Sequence, residues 1–143
     1  MSGVSASNFT RARGTMARQA IAIIEREPEA DSARDDGRMV TALVALGVSW
    51  LERGQPSLAV PPLERALRVR EGSPLEPGQL GQMRFALARA LAQTRGAPAR
   101  VTALATGART SYEASPRYAP QRAQIDKWLE TRRPGKPARR ARK

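Results

Sequence analysis

Two short runs constrain this chain more than any other feature: Leu51-Glu52-Arg53-Gly54-Gln55-Pro56 and Gln93-Thr94-Arg95-Gly96-Ala97-Pro98. In each, a glycine stands where a helix would close on a left-handed residue. A proline two residues later stands where the next helix would open, at a position that needs no backbone N–H. The flanking apolar residues have helical spacing: Val40, Leu43, Val44, Gly47, Trp50 and Leu51 before the first run, and Leu80, Met83, Leu87, Ala90 and Leu91 before the second. Val101, Leu104, Ala105, Ala108 and Tyr112 follow the second run in the same way. The chain therefore reads as two successive helix–turn–helix hairpins.

The hairpins also match each other. Gly54 pairs with Gly96, Pro56 with Pro98 and Ala66 with Ala108 at an offset of 42, whereas Leu46-Gly47 pairs with Leu87-Ala88 at an offset of 41. A one-residue insertion in the second turn reconciles the two offsets. Self-similarity at this period is the mark of stacked helical arrays, in which each hairpin buries its apolar face on the next. Pro61 and Pro62 test the reading, because a proline inside a helix costs about 3 kcal/mol. In register, Ala59 and Leu63 hold the core positions and the two prolines fall toward the outer face, so one kinked helix from Pro56 to Arg70 is expected.

These residues resemble the tetratricopeptide repeat. Leu43-x2-Leu46-Gly47-x2-Trp50, followed by Ala59-x3-Leu63 and Ala66, is similar to its pattern of large-x2-Leu-Gly-x2-aromatic, then Ala-x3-aromatic and Ala. The resemblance covers about residues 39 to 112. It departs from the pattern in the second unit, where Arg84 replaces the first large residue and Ala88 the glycine. The longer period looks like that of kinesin-light-chain-like bacterial arrays, whose last units often follow a serine/threonine kinase domain. The resemblance implies an all-α fold of antiparallel hairpins stacked as a short solenoid, working as a protein–protein interaction module and forming the remnant or C-terminal part of a larger array. By family position, the groove-facing residues are Thr41, Val44, Val48 and Glu52 from the first unit and Gln82, Phe85, Arg89 and Gln93 from the second. A C-terminal carboxylate clamp is not implied, since family members that have one carry Asn where this chain has Val44 and Phe85.

Residues 8–27 read as the trailing helix of a degraded upstream repeat, with Asn8 as its cap and Phe9, Met16, Ala20, Ile23 and Ile24 along one side. Residues 28–38 read as an acidic linker after which Asp35 or Asp36 caps the next helix. Residues 39–131 hold the two hairpins and a capping helix whose narrow apolar stripe is Ile125, Trp128 and Leu129. Residues 1–7 and 132–143 read as disordered ends.

Composition narrows the chemistry. At 143 residues the chain supports one domain, and with aromatics at 4% its core must be built mainly of Ala, Leu and Val on closely approaching helices. It has no cysteine and no histidine, which removes disulfides, thiolate ligands and a serine–histidine–aspartate triad. No phosphate loop or dinucleotide-binding fingerprint is present. The expected protein is not an enzyme and needs neither cofactor nor metal. No run reaches the roughly 18 apolar residues of a membrane span, so a soluble, cytoplasmic protein is the default.

Of the net charge of +12, seven cations lie in the last twelve residues: Arg132, Arg133, Lys136, Arg139, Arg140, Arg142 and Lys143. Such a tail attracts phosphates by counterion release, which makes nucleic acid or another polyanion the alternative partner to a peptide. The ends of a short array are also surfaces for self-association.

Overall fold

The computed structural model describes residues 6–26, 32–70 and 76–132, with side chains from residue 11 onward apart from 24, 26 and 32–36. Six α-helices account for most of them: α1 (Ala6–Arg26), α2 (Ser32–Glu52), α3 (Pro56–Arg70), α4 (Pro77–Gln93), α5 (Pro98–Tyr112) and α6 (Ala119–Thr131). A single 3₁₀ turn, Pro116–Tyr118, leads into α6, and there is no strand among the described residues. Each helix packs on the next in chain order, and α2 also meets α4. The fold is all-α, a short stack of antiparallel hairpins closed by α6.

The two turns share one hydrogen-bond plan, and that plan shows where the extra residue lies. Gln55 N–H donates to the Trp50 carbonyl at 2.8 Å, and Gly96 N–H donates to the Leu91 carbonyl at 2.7 Å. This is the six-to-one closure of a helix C-terminus through a left-handed residue. The left-handed residues are Gly54 (φ 75°) and Arg95 (φ 63°), which are 41 apart like the helices before them. The prolines that open α3 and α5 are 42 apart. The insertion therefore follows the left-handed residue. Gly96, expected to be the helix-closing residue, is instead the one after it. A Cβ there would lie 2.7 Å from Leu91 Cβ, so Gly96 is held to glycine by space.

The hairpin interiors are the expected stripes. Val40, Leu63, Met83, Leu87, Val101 and Ile125 are the largest fully buried side chains, and each contributes about 1.5–3 kcal/mol by leaving water. Ala59, Ala66, Ala105 and Ala108 are fully buried between them, where only small side chains let the helices close. Trp50 is half-buried, with the Arg53 and Arg18 guanidinium carbons 4.5 Å and 5.6 Å from its ring centroid. Helix α3 runs unbroken through Pro61 and Pro62. Pro61 is exposed and Pro62 half-buried, and both border a shallow hollow with Leu43 and Leu46.

Three expectations at the N-terminal end need correction. Helix α1 starts at Ala6, so Asn8 lies inside it rather than at its cap. Its buried line is Gly14, Ala17 and Ile21, while Met16 and Ile23 are exposed. A Cβ on Gly14 would lie 2.7 Å from Ser49 Oγ, so the close approach of α1 to α2 at this glycine selects the buried face. Helix α2 begins at Ser32, which makes residues 32–38 helix rather than linker. Nothing in that stretch breaks a helix spreading back from the apolar turns, and acidic residues are favoured near a helix N-terminus. Residues 1–5 and 27–31, the side chains of Phe9 and Ile24, and the tail from Arg133 to Lys143 lie outside the described residues.

Candidate functional site

The alternate helices α2, α4 and α6 present one face each to a common open groove of ≈ 770 Å³, within the roughly 300–1,000 Å³ range of ligand clefts. Helix α2 contributes Val48 and Glu52 to its lining, and α4 contributes Gln79, Gln82, Phe85, Ala86 and Arg89. Helix α6 supplies Gln121 and Gln124, and the two tyrosines Tyr112 and Tyr118 close one end.

Two glycines one turn apart on α4 seat those tyrosines. A Cβ on Gly81 would lie 2.7 Å from Tyr112 Cζ, and one on Gly78 would lie 2.8 Å from Tyr118 Cζ. The rings therefore rest on bare helix backbone, with their centroids 5.2 Å apart. The Tyr118 hydroxyl accepts from Arg117 Nη2 at 2.7 Å and donates to Glu76 Oε1 at 2.9 Å, tying the start of α4 to the approach to α6. Burial pushes the Tyr112 hydroxyl above its ordinary pKa, with the neighbouring Tyr118 adding to the effect, so it stays a neutral donor. Phe85 meets Trp128 edge to face at 5.4 Å, which fixes α6 against α4 and makes it a groove wall as well as a cap.

The groove's charges are largely spoken for. Glu52 accepts from Arg13 Nη2 at 2.6 Å, and Glu76 is held by Tyr118. Arg89 makes no ion pair among the described residues and lies with its guanidinium carbon 5.7 Å from the Phe85 ring centroid. Most of the remaining polar lining is amide. Gln79 Nε2 donates to Thr41 Oγ1 at 2.7 Å, while Gln121 Oε1 is buried with no donor among the described residues.

Of the groove residues expected from sequence, Glu52, Gln82, Phe85, Arg89 and Val48 line it. Gln93 does not: it is exposed in the last turn of α4 and its amide folds back on the Arg89 carbonyl at 3.4 Å. Thr41 is exposed at the margin, bonded to Gln79, and Val44 is buried in the core beneath. Sequence reasoning missed Gln79, Tyr112, Tyr118, Gln121 and Gln124. The spacing Gln79-x2-Gln82 and Gln121-x2-Gln124 was the available signal, since residues three apart share a helix face.

The tail cations cannot be placed on this surface, because only Arg132 is described. Its guanidinium carbon stands 5.0 Å from the Trp128 ring centroid. Among the described residues no group of three or more acidic side chains could hold a metal ion, and no helix is long and apolar enough to cross a membrane. No family model matches the chain, and no curated protein or solved structure matches it either.

Proposed function

We propose that the chain is a protein-interaction module whose groove holds an extended peptide. The observation that carries this is the amide lining, in which Gln79 and Gln82 of α4 and Gln121 and Gln124 of α6 border the same groove. A primary amide both donates and accepts, which is what the alternating N–H and C=O groups of an extended main chain require. Phe85, Ala86, Val48 and the tyrosine rings add apolar contact for alternate side chains, and Arg89 favours a ligand with an acidic residue at that point.

On this reading the likeness to the tetratricopeptide pattern reflects shared use of a concave face. A bacterial, cytoplasmic setting alongside a serine/threonine kinase is supported by that resemblance alone. Selection from a random peptide display library tests the proposal. Selected peptides should bind the whole chain and a chain ending at Arg132 equally, at low and high salt, and lose about tenfold in affinity in a Gln82→Ala, Gln121→Ala double variant. Binding that disappears with truncation and salt would transfer the function to the basic tail and a polyanion.

A further inference from the structure

Among the described residues that border the groove, three are charged: Glu52, Glu76 and Arg89. Glu52 is closed off by Arg13 at 2.6 Å. Glu76 immediately precedes α4, and Arg89 lies thirteen positions later, toward the far end of the same helix. At 1.5 Å per residue, the acid and the base stand about 20 Å apart along the groove wall.

Both ends keep their charge. Arg89 makes no ion pair among the described residues, and its place over the Phe85 ring leaves its guanidinium donors unspent. At the other end, the Tyr118 hydroxyl donates to Glu76 Oε1 at 2.9 Å, and a neutral phenol aims the carboxylate without cancelling it. Arg117 stands 3.7 Å from the same oxygen, but the two side chains are 69% and 62% exposed, and a pair that wet is worth little. Arg117 also shows what this end accepts, since its guanidinium carbon lies 4.8 Å from the Tyr118 ring centroid. A carboxylate beside two tyrosine rings 5.2 Å apart offers a cation an ion pair and aromatic faces together.

We propose that the groove reads charge at both ends, taking an extended peptide with a basic side chain at Glu76 and Tyr118 and an acidic side chain at Arg89, six residues apart. An extended chain advances about 3.3 Å per residue, so six residues cover the ~20 Å between the two sites. An even separation also leaves both side chains on the same side of the peptide, toward α4, whereas five or seven would turn one of them away. Gln79 and Gln82, between the two ends, are left to serve the main chain. This specificity rests on the peptide reading of the groove and adds to it which peptides bind.

The probe is a peptide selected on the full chain from a random display library, together with versions in which its basic or its acidic residue is changed to glutamine. Selected sequences should carry Lys or Arg and Asp or Glu six positions apart more often than at any other separation. Glu76→Gln should weaken the parent peptide about three- to fivefold and leave unchanged the peptide that lacks the base, and Arg89→Gln should behave likewise toward the peptide that lacks the acid. The Glu76 side chain makes no capping bond to α4, so Glu76→Gln removes charge without removing a cap. Peptides that depend on Gln82 and Gln121 but show no preferred separation, or that lose affinity equally with and without their own charges, would overturn the charge readout and leave the groove reading standing. A library that yields no peptide dependent on those two glutamines would remove both.

Discussion

Gly47 of α2 lies directly against Leu63 of α3. A Cβ at Gly47 would fall 2.7 Å from Leu63 Cδ2 and 2.9 Å from Cδ1, and Leu63 is fully buried. Replacing a mid-helix glycine by alanine ordinarily stabilises by about 0.5–1 kcal/mol. At Gly47 the sign should reverse, with Gly47→Ala costing about 1–3 kcal/mol because Leu63 has nowhere to go. Gly37, in the same helix with nothing within 4 Å of its would-be Cβ, is the control and should show the ordinary gain. Thermal unfolding of the two variants checks this, and a stabilising Gly47→Ala would contradict the packing.

Arg95 holds a left-handed backbone at φ 63°, where its counterpart in the first turn is glycine. A side chain in that region costs roughly 1–2 kcal/mol, of which glycine recovers part and returns part as unfolded-state entropy. Arg95→Gly should therefore raise stability by about 0.5–1 kcal/mol, measured by urea unfolding. No gain, or a loss, would mean that the turn is not strained.

Much of this fold was legible in the residues. The paired turns, the α3 span from Pro56 to Arg70 and the stripe through Leu43, Met83 and Leu87 follow from spacing, because buried helix faces repeat and turns need particular residues. The buried face of α1 was not legible, since Met16 and Ile23 are as apolar as Ala17 and Ile21 and only the fit of Gly14 onto Ser49 decides between them. The site divided the same way. Gln82, Phe85 and Arg89 lie on one α4 face and could be found by position, whereas Tyr112 and Tyr118 reach the groove because Gly78 and Gly81 open room for their rings from across the fold.

Pro61 and Pro62 lie in the second turn of α3, so the carbonyls of Ser57 and Leu58 lose their helical partners. Both of those residues are exposed, which lets water replace the missing bonds. Pro61 is exposed too, and Pro61→Ala restores one bond without emptying the core. The expected outcome is a gain of about 1 kcal/mol or more, read as a higher melting temperature. A drop would show that the proline is needed where it stands.

Glu64 accepts from Arg100 at 2.6 Å and 2.7 Å. That hydrogen bond holds the Glu64 carboxyl below its ordinary value of 4.5, against the opposing pull of burial. A carboxylate whose pKa is lower in the folded chain adds stability above its unfolded pKa, and loses it as pH falls through the folded one. Glu64→Gln should accordingly flatten the decline in stability between about pH 5 and about pH 3, by no more than about 1 kcal/mol for a pair this exposed. Urea midpoints at the two pH values read the effect, and parallel declines in parent and variant would rule it out.

The most direct test of the groove is to watch its own amides. With a library-selected peptide added to the full chain, the side-chain NH₂ signals of Gln79, Gln82, Gln121 and Gln124 should shift together and saturate, along with the backbone signals of Phe85 and Arg89, while those of residues 133–143 stay still. Shifts confined to residues 132–143, with the four glutamines unmoved, would contradict the account.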